Sequence, residues 1–536
     1  MNSPTPRVDA KTLKTYLHDG GEIALLDARE EVPFDRRHIL MASCVPLGRL
    51  ETIVDALIPR RAARVVWCDD GEGLAEKAAA RMTALGYTNV AVLDGGIAAW
   101  EKAGYRIYSG VHVPSKAFAE VVEHEAGTPH ITAQELKALI DSKADIALFD
   151  SRSYEEYHVN SIPSAINVPG AELVYRFTDL VPSPDTTVVV NCGGRTRSII
   201  GAQSLINARF PNKIVSLKNG TQDWHLAGFE VIKGATRTPP PVSGKGLKEA
   251  QAAAARVAKL CGVTVIDRKV LGAWHAEASK HALYVLDVRT PEEYEAGHLP
   301  GVKNAPGGQL IQETDRHLGI WGARVVLVDD NGVRATMTAS WLKQMGWNAS
   351  VITVDEAGGA TEKGSYKPNA LGLDGKAVSF IAPGDLDRKL KDGAAAVIDL
   401  DWSRKYYDGH IPGAWFMIRA RLAEDLKKLP KADATDTIVL TSPDGILAQL
   451  AADDVKALTP ASVMVLAGGT QAWKAAGLPL EKGATHMASA AEDLRLRARE
   501  MNRNVEEAMR AYLAWEIDLV NQMAADDDQR FQIVKG

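Results

Sequence analysis

The sequence predicts an α/β protein made of four tandem domains. Each is a small parallel sheet with helices on both faces, and a C-terminal helix follows. Three repeated observations predict this. An apolar run ends in an acidic residue four times: "IALLDARE" at Asp27, "IALFDSRS" at Asp150, "LYVLDVRT" at Asp287 and "AAVIDLDW" at Asp399. A second apolar run then meets a turn: "RVVWCDDGEGLA", "TVVVNCGGRTRS", "RVVLVDDNGVRA" and "TIVLTSPDGILA". From the acidic residue to the first loop residue the gaps are 41 (Cys68), 42 (Cys192), 42 (Asp329) and 43 (Ser442). A glycine turn and a tryptophan close three units, at Trp100, Trp224 and Trp473, while the third unit keeps only "VDEAGGA". Repeats this far apart are whole domains rather than solenoid units.

Within each unit, short apolar runs alternate with longer helical stretches. In the second, "IALFD" and "TVVVN" read as strands buried on both faces, and "AQELKALID" and "SIIGAQSLINAR" read as helices. Such alternation implies a parallel sheet covered on both sides. The closing tryptophans read as helix residues packed on their sheets. The expected domains are 1–110, 128–235, 247–357 and 377–483, with a helical tail at 487–536. "TRTPPPVSGKG" (236–246) and "GGATEKGSYKPNALGLDGK" (358–376) are proline- and glycine-rich linkers. "LKEAQAAAARVAKL" (247–260) is a strong helix former. In the tail, Leu494, Ala498, Met501, Val505, Ala508, Tyr512, Trp515, Leu519 and Met523 fall at steps of 4 and 3. That seam suits either packing on the chain's own body or a homodimer through the C-terminal helix.

Composition narrows the function. A net charge of −6 gives no electrostatic case for nucleic acid. Four cysteines in 536 residues form no disulfide framework, and no cysteine or histidine spacing suits zinc, so no metal or cofactor is expected. No apolar run is long enough to span a membrane, and "MNSPTPRVDAKTLK" lacks a signal peptide's apolar core. A cytoplasmic location is the expectation, and reducing conditions there would keep a thiolate free.

The loop after "TVVVN" carries the chemistry. Cys192 stands at a strand end before a helix, where a helix dipole and inward N–H groups favour an anion. Gly193 and Gly194 permit a tight turn, and Arg195 and Arg197 add positive charge. These features are expected to lower the Cys192 pKa well below about 8.5 and to attract an anionic co-substrate.

The ordered motifs resemble the rhodanese family of sulfurtransferases, over nearly the whole chain up to about residue 480. The resemblance rests on Asp-x-Arg (Asp27–Arg29, Asp150–Arg152, Asp287–Arg289), on "EEYEAGHLPGVKNAP" echoed by "YYDGHIPGA", on the Cys192 loop and on the closing Gly-Gly-x-x-x-Trp motif. It implies four tandem rhodanese-like domains, with Cys192 as the residue that carries persulfide sulfur. The thiolate would attack a sulfane donor such as thiosulfate or glutathione persulfide, and a thiol or cyanide would accept the outer sulfur. Gly193, Gly194, Arg195, Thr196, Arg197 and Ser198 would bind the substrate. Cysteine phosphatases place arginine six residues after the nucleophile, where this chain has Ser198. "CGGRTR" also departs from the family's thiosulfate and mercaptopyruvate loop patterns.

The other loops read differently. Cys68 is crowded by Asp69, Asp70 and Glu72, which disfavours thiolate, so it stands as a secondary sulfur carrier at most. Asp329 and Ser442 take the nucleophile position in the third and fourth units, although Arg334 survives in the third. Asp401 replaces the arginine of the fourth unit's first motif. Domains three and four are therefore expected to be structural or binding units. Cys44 and Cys261 lie outside the loops, and His298 and His410 are expected to brace turns. The rival reading is a persulfide relay or binding scaffold.

Overall fold

The computed structural model describes residues 5–429, 437–501 and 504–535. The ends of the first domain and of the tail, and parts of the fourth domain and the tail near 430–436 and 502–503, lie outside the described residues.

Each of the four units folds around a five-stranded parallel sheet. In every sheet the strands lie in the order first, fifth, fourth, second, third along the chain. In the second unit these are His130–Ile131, Ile214–Leu217, Thr187–Asn191, Ile146–Asp150 and Ile166–Asn167. Thr187–Asn191 is the central strand, with Val188, Val189 and Val190 fully buried. Helices on both faces let such a strand be apolar throughout. Cys192 follows its carboxyl end, the edge at which parallel sheets place their ligands.

The helix read from "AQELKALID" spans Ala133–Asp141, with a Thr132/Glu135 capping box. The helix after Cys192 runs Thr196–Asn207, starting two residues earlier than the sequence reading. The "LKEAQAAAARVAKL" helix spans Gly244–Cys261. Its Ala250, Ala253, Ala254 and Val257 join the core of Phe149, Phe177 and Val188 in the second unit, together with Met337 of the third. It therefore ties two sheets together rather than belonging to one.

The units are not beads on a string. The first and third share one apolar core, joined at an Ile23–Trp321 bridge. Arg334 is fully buried and reaches from the third unit to Glu172 of the second at 2.9 Å. Arg419 ties the fourth unit to Glu51 of the first at 2.9 Å. A further helix, Val113–Ala126, fills the stretch between the first two expected domains.

The tail is not one continuous helix. A short 3-10 turn occupies Ala498–Glu500, and the helix itself spans Val505–Ala524. Its buried face is Met509, Leu513, Glu516, Leu519 and Met523, one residue off the early part of the expected seam. Leu519 and Met523 enter the core of the first and third units. These two seam residues thus pack within the chain, while Met501 is exposed. Among the described residues, no helix is long and apolar enough to cross a membrane.

Candidate active site

The second unit's loop is held from below by its closing motif. Thr221 N–H donates to the Cys192 carbonyl at 2.8 Å, and Gln222 N–H donates to the Gly193 carbonyl at 3.1 Å. Gly220 makes this approach feasible. It has φ of +58°, and a Cβ there would lie 2.3 Å from the Cys192 carbonyl oxygen. Trp224 is a buried residue of that helix, and its indole N–H donates to the Glu230 carbonyl at 2.8 Å. Trp100 and Trp473 make matching bonds to Arg106 and Pro479. The closing motif is therefore a brace for the loop as well as core.

The same brace fixes which residue occupies the nucleophile position in the first, second and fourth units. Ile97 N–H donates to the carbonyl of Asp69, and Thr470 N–H to that of Ser442. Strand register agrees. Asp27 pairs with Cys68, Asp150 with Asn191, Asp287 with Val328 and Asp399 with Thr441. Cys68 thus corresponds to Asn191, and Asp69 corresponds to Cys192. This corrects the sequence placement of Cys68 as the first residue of the loop. It is the last residue of the strand Val65–Cys68 and is fully buried. The gap of 41 rather than 42 was the signal, since counting to Asp69 restores 42.

The loops differ in what fills their ring of N–H groups. Asp69 accepts from Gly71 N (3.0 Å), Leu74 N (2.6 Å) and Ala75 N (3.0 Å). Asp329 accepts from Gly332 N (2.6 Å) and Ala335 N (3.1 Å). Ser442 Oγ accepts from Ala448 N at 3.3 Å. Two of these loops therefore fill the ring with a carboxyl group of their own. Among the described residues, no side-chain oxygen accepts from the amides of Gly193 to Arg197. Cys192 Sγ instead donates to Ser198 Oγ at 3.5 Å, and Ser198 Oγ donates to the Arg195 carbonyl at 2.8 Å.

Charge at Cys192 departs from expectation. The thiol is 2% exposed, and burial pushes its pKa up rather than down; Arg197 and hydrogen bonding with Ser198 oppose that shift. The arginines are not free charges. Arg195 forms a bidentate pair with Glu120 (2.7 and 2.8 Å) and also reaches Glu123. Arg197 pairs with Glu156 (2.5 and 3.2 Å) and donates to Gln309 of the third unit at 2.7 Å. Glu156 is held well below the usual carboxyl range, burial being outweighed by Arg197. Glu120 goes the other way, pushed by burial to about 7 despite Arg195. The Cys68 thiol is likewise pushed up: burial leads, Asp27, Asp69 and Asp70 add to it, and Arg29 opposes.

The Asp-x-Arg motif is a support below the loop. Arg152 is fully buried, pairs with Asp150 (2.9 and 2.6 Å) and donates to the Asn160 carbonyl at 2.6 Å. Asp27–Arg29 and Asp287–Arg289 repeat it. His298 and His410 do brace turns, bonding the carbonyls of Tyr294 and Tyr406 at 2.8 and 2.7 Å. Sequence reasoning missed Lys116, Glu120 and Glu123, Glu156, Tyr512 and Glu516, all close to the loop. Acidic residues three apart at 120 and 123 on an amphipathic helix were the one visible signal.

Repeated parallel sheets with one thiol-bearing loop and three degenerate copies define a tandem α/β class with a single candidate nucleophile. The chain belongs to the rhodanese-like domain family, whose model matches residues 9–103, 132–227, 272–356 and 382–476. Its structure is similar to that of a thiosulfate sulfurtransferase from Pseudomonas aeruginosa, with a TM-score of 0.95 and 44% identity, covering 99% of this chain and 100% of the other. A 92-residue segment, 17% of the chain, is 36% identical to the HTH-type transcriptional regulator Rv0324 of Mycobacterium tuberculosis and spans 39% of that protein. A 134-residue segment, 24% of the chain, is 25% identical to the putative sulfur carrier protein YrkF of Bacillus subtilis and spans 71% of it.

Proposed function

We propose that the protein is a sulfurtransferase that moves sulfane sulfur through a persulfide on Cys192. The observation that carries this reading is the Cys192 loop itself. It keeps a thiol where the other three have Asp69, Asp329 and Ser442, and its amides are not occupied by a side chain of the loop. The full-length likeness to a thiosulfate sulfurtransferase supports thiosulfate as the donor class.

In the first step the Cys192 thiolate attacks the outer sulfur of thiosulfate. The sulfur–sulfur bond breaks, sulfite leaves with its electron pair, and Cys192 keeps one added sulfur as a persulfide. The loop amides stabilise the terminal sulfur anion. In the second step a thiolate or cyanide attacks that sulfur and regenerates the Cys192 thiolate. The raised thiol pKa means that the resting site holds the proton. Arg197 and Ser198 then favour the thiolate once the proton has left. All four cysteines are free, which suits a reducing, cytoplasmic setting.

The other units act as supports in this reading, Gln309 orienting Arg197 and Arg334 locking the second and third units together. The test is thiocyanate formation from thiosulfate and cyanide. Cys192→Ser should lose it, on the order of 10³-fold or more. Full activity in that variant with every donor tried would refute the assignment.

A further inference from the structure

The C-terminal helix lays Tyr512 and Glu516 over the Cys192 loop. Glu516 is 1% exposed and comes from 320 residues beyond Thr196. Its Oε1 accepts two hydrogen bonds, from Thr196 Oγ1 at 3.0 Å and Tyr512 O–H at 3.2 Å. Its Oε2 has no hydrogen-bond partner among the described residues. That free oxygen points at the loop. A Cβ built on Gly194 would lie 3.2 Å from it, 3.2 Å from Gln222 Nε2 and 3.5 Å from the Tyr512 ring. An unpartnered buried carboxyl oxygen is costly and calls for an explanation. Two donors on Oε1 leave Oε2 as the place for a proton, directed toward the turn.

We propose that Glu516 is the specificity-determining residue of the Cys192 site: its carboxyl proton, on Oε2, hydrogen-bonds the oxyanion end of the sulfur donor, and the ionised carboxylate turns that donor away. This rests on Cys192 being the sulfur-carrying residue. The charges around Glu516 allow it to hold a proton. Burial pushes it above the usual carboxyl range, against Lys116, Thr196, Arg195 and Tyr512. Lys116 is itself pulled down to about 8 by burial, and its ammonium lies over the Tyr512 and Trp515 rings at 5.4 and 5.1 Å. Glu120, from the same helix as Lys116, is engaged with Arg195, and Arg495 lies 5.7 Å from the Tyr512 ring. A charge on Glu516 also works against the Cys192 thiolate. The reactive form carries one proton, on Glu516, with thiolate on Cys192.

The test is the pH profile of kcat/KM for thiosulfate in the full-length protein. A one-proton reactive pair gives a bell. Glu516→Gln keeps an acceptor at Oε1 and places an N–H donor at the Oε2 position. It should lose the falling alkaline limb, its activity continuing to rise with the Cys192 thiolate. Tyr512→Phe removes a bond that favours the carboxylate and should move the acidic limb to higher pH. Glu516→Ala should raise the thiosulfate KM about tenfold. Profiles of wild type and Glu516→Gln that superimpose would overturn the proposal, even if Glu516→Ala is merely less stable. If Cys192→Ser is inactive while those profiles superimpose, only the role of Glu516 fails. If Cys192→Ser is active, the site assignment itself fails.

Discussion

The loops that follow Asn191 and Cys68 share a frame and differ in what sits inside it. Both leave a central strand, both are braced from below by a glycine-led helix, and both open into a helix. At the shared position one has a thiol and the other a carboxylate. Asp69 turns back and accepts three amide hydrogen bonds from its own loop. The Cys192 loop has no such internal anion, and its arginines are held by glutamates from other elements. The comparison teaches that the family frame creates an anion site in each unit. In the first unit a carboxyl group of the loop itself fills that frame, and Asp329 repeats the arrangement in the third.

The comparison can be broken from either side. The largest effect is expected from Cys192→Asp, which should convert the loop into its silent sibling. Thiosulfate turnover should fall on the order of 10³-fold or more while the protein stays folded, its melting temperature no lower than wild type. A collapse of the fold would show that the loops are not equivalent.

A pH effect on stability is next, from the first motif rather than the loop. Arg29, Arg152 and Arg289 pair with the buried aspartate before them, but the fourth unit has Asp401 there. Asp399 is pushed by burial to about 7, with the Asp401 charge adding and the Asp401 N–H opposing. Its folded pKa lies above its unfolded value, so the folded state binds more protons between about pH 4 and 7. Stability should therefore fall as pH rises through that window, by up to about 4 kcal/mol. Asp399→Asn should flatten that slope in urea titrations at several pH values. An unchanged slope would remove Asp399 from the account.

Smaller effects sharpen the contrast. Asp69→Ala leaves three loop amides without their acceptor and should cost about 1–3 kcal/mol of stability with thiosulfate turnover unchanged. Cys68→Ser should leave turnover unchanged as well, since Cys68 is a strand residue. Loss of activity in Cys68→Ser would reopen it as a sulfur carrier.

Much of this was legible in the sequence. Four repeats at constant spacing gave the sheets, and the Ala133–Asp141 helix was readable residue by residue because its apolar period and capping box agree. Cys192 stood out because cysteine, glycines and arginines converge. The rest was not local. Cys68 was misplaced by one residue, and strand pairing with Asp27 decides that register. The thiol pKa was expected to fall, but burial pushes it up against Arg197, and both arginines are paired with glutamates from other elements. The helix seam was visible while its mate was not: Glu516 meets Thr196 across 320 residues of chain.

The most direct measurement is peptide-resolved mass spectrometry of the native protein after exposure to thiosulfate without an acceptor. The account predicts an added sulfur atom on the peptide containing Cys192 and none on those containing Cys44, Cys68 or Cys261. An added sulfur on Cys68, or an unmodified Cys192 in protein that is turning over, would contradict it.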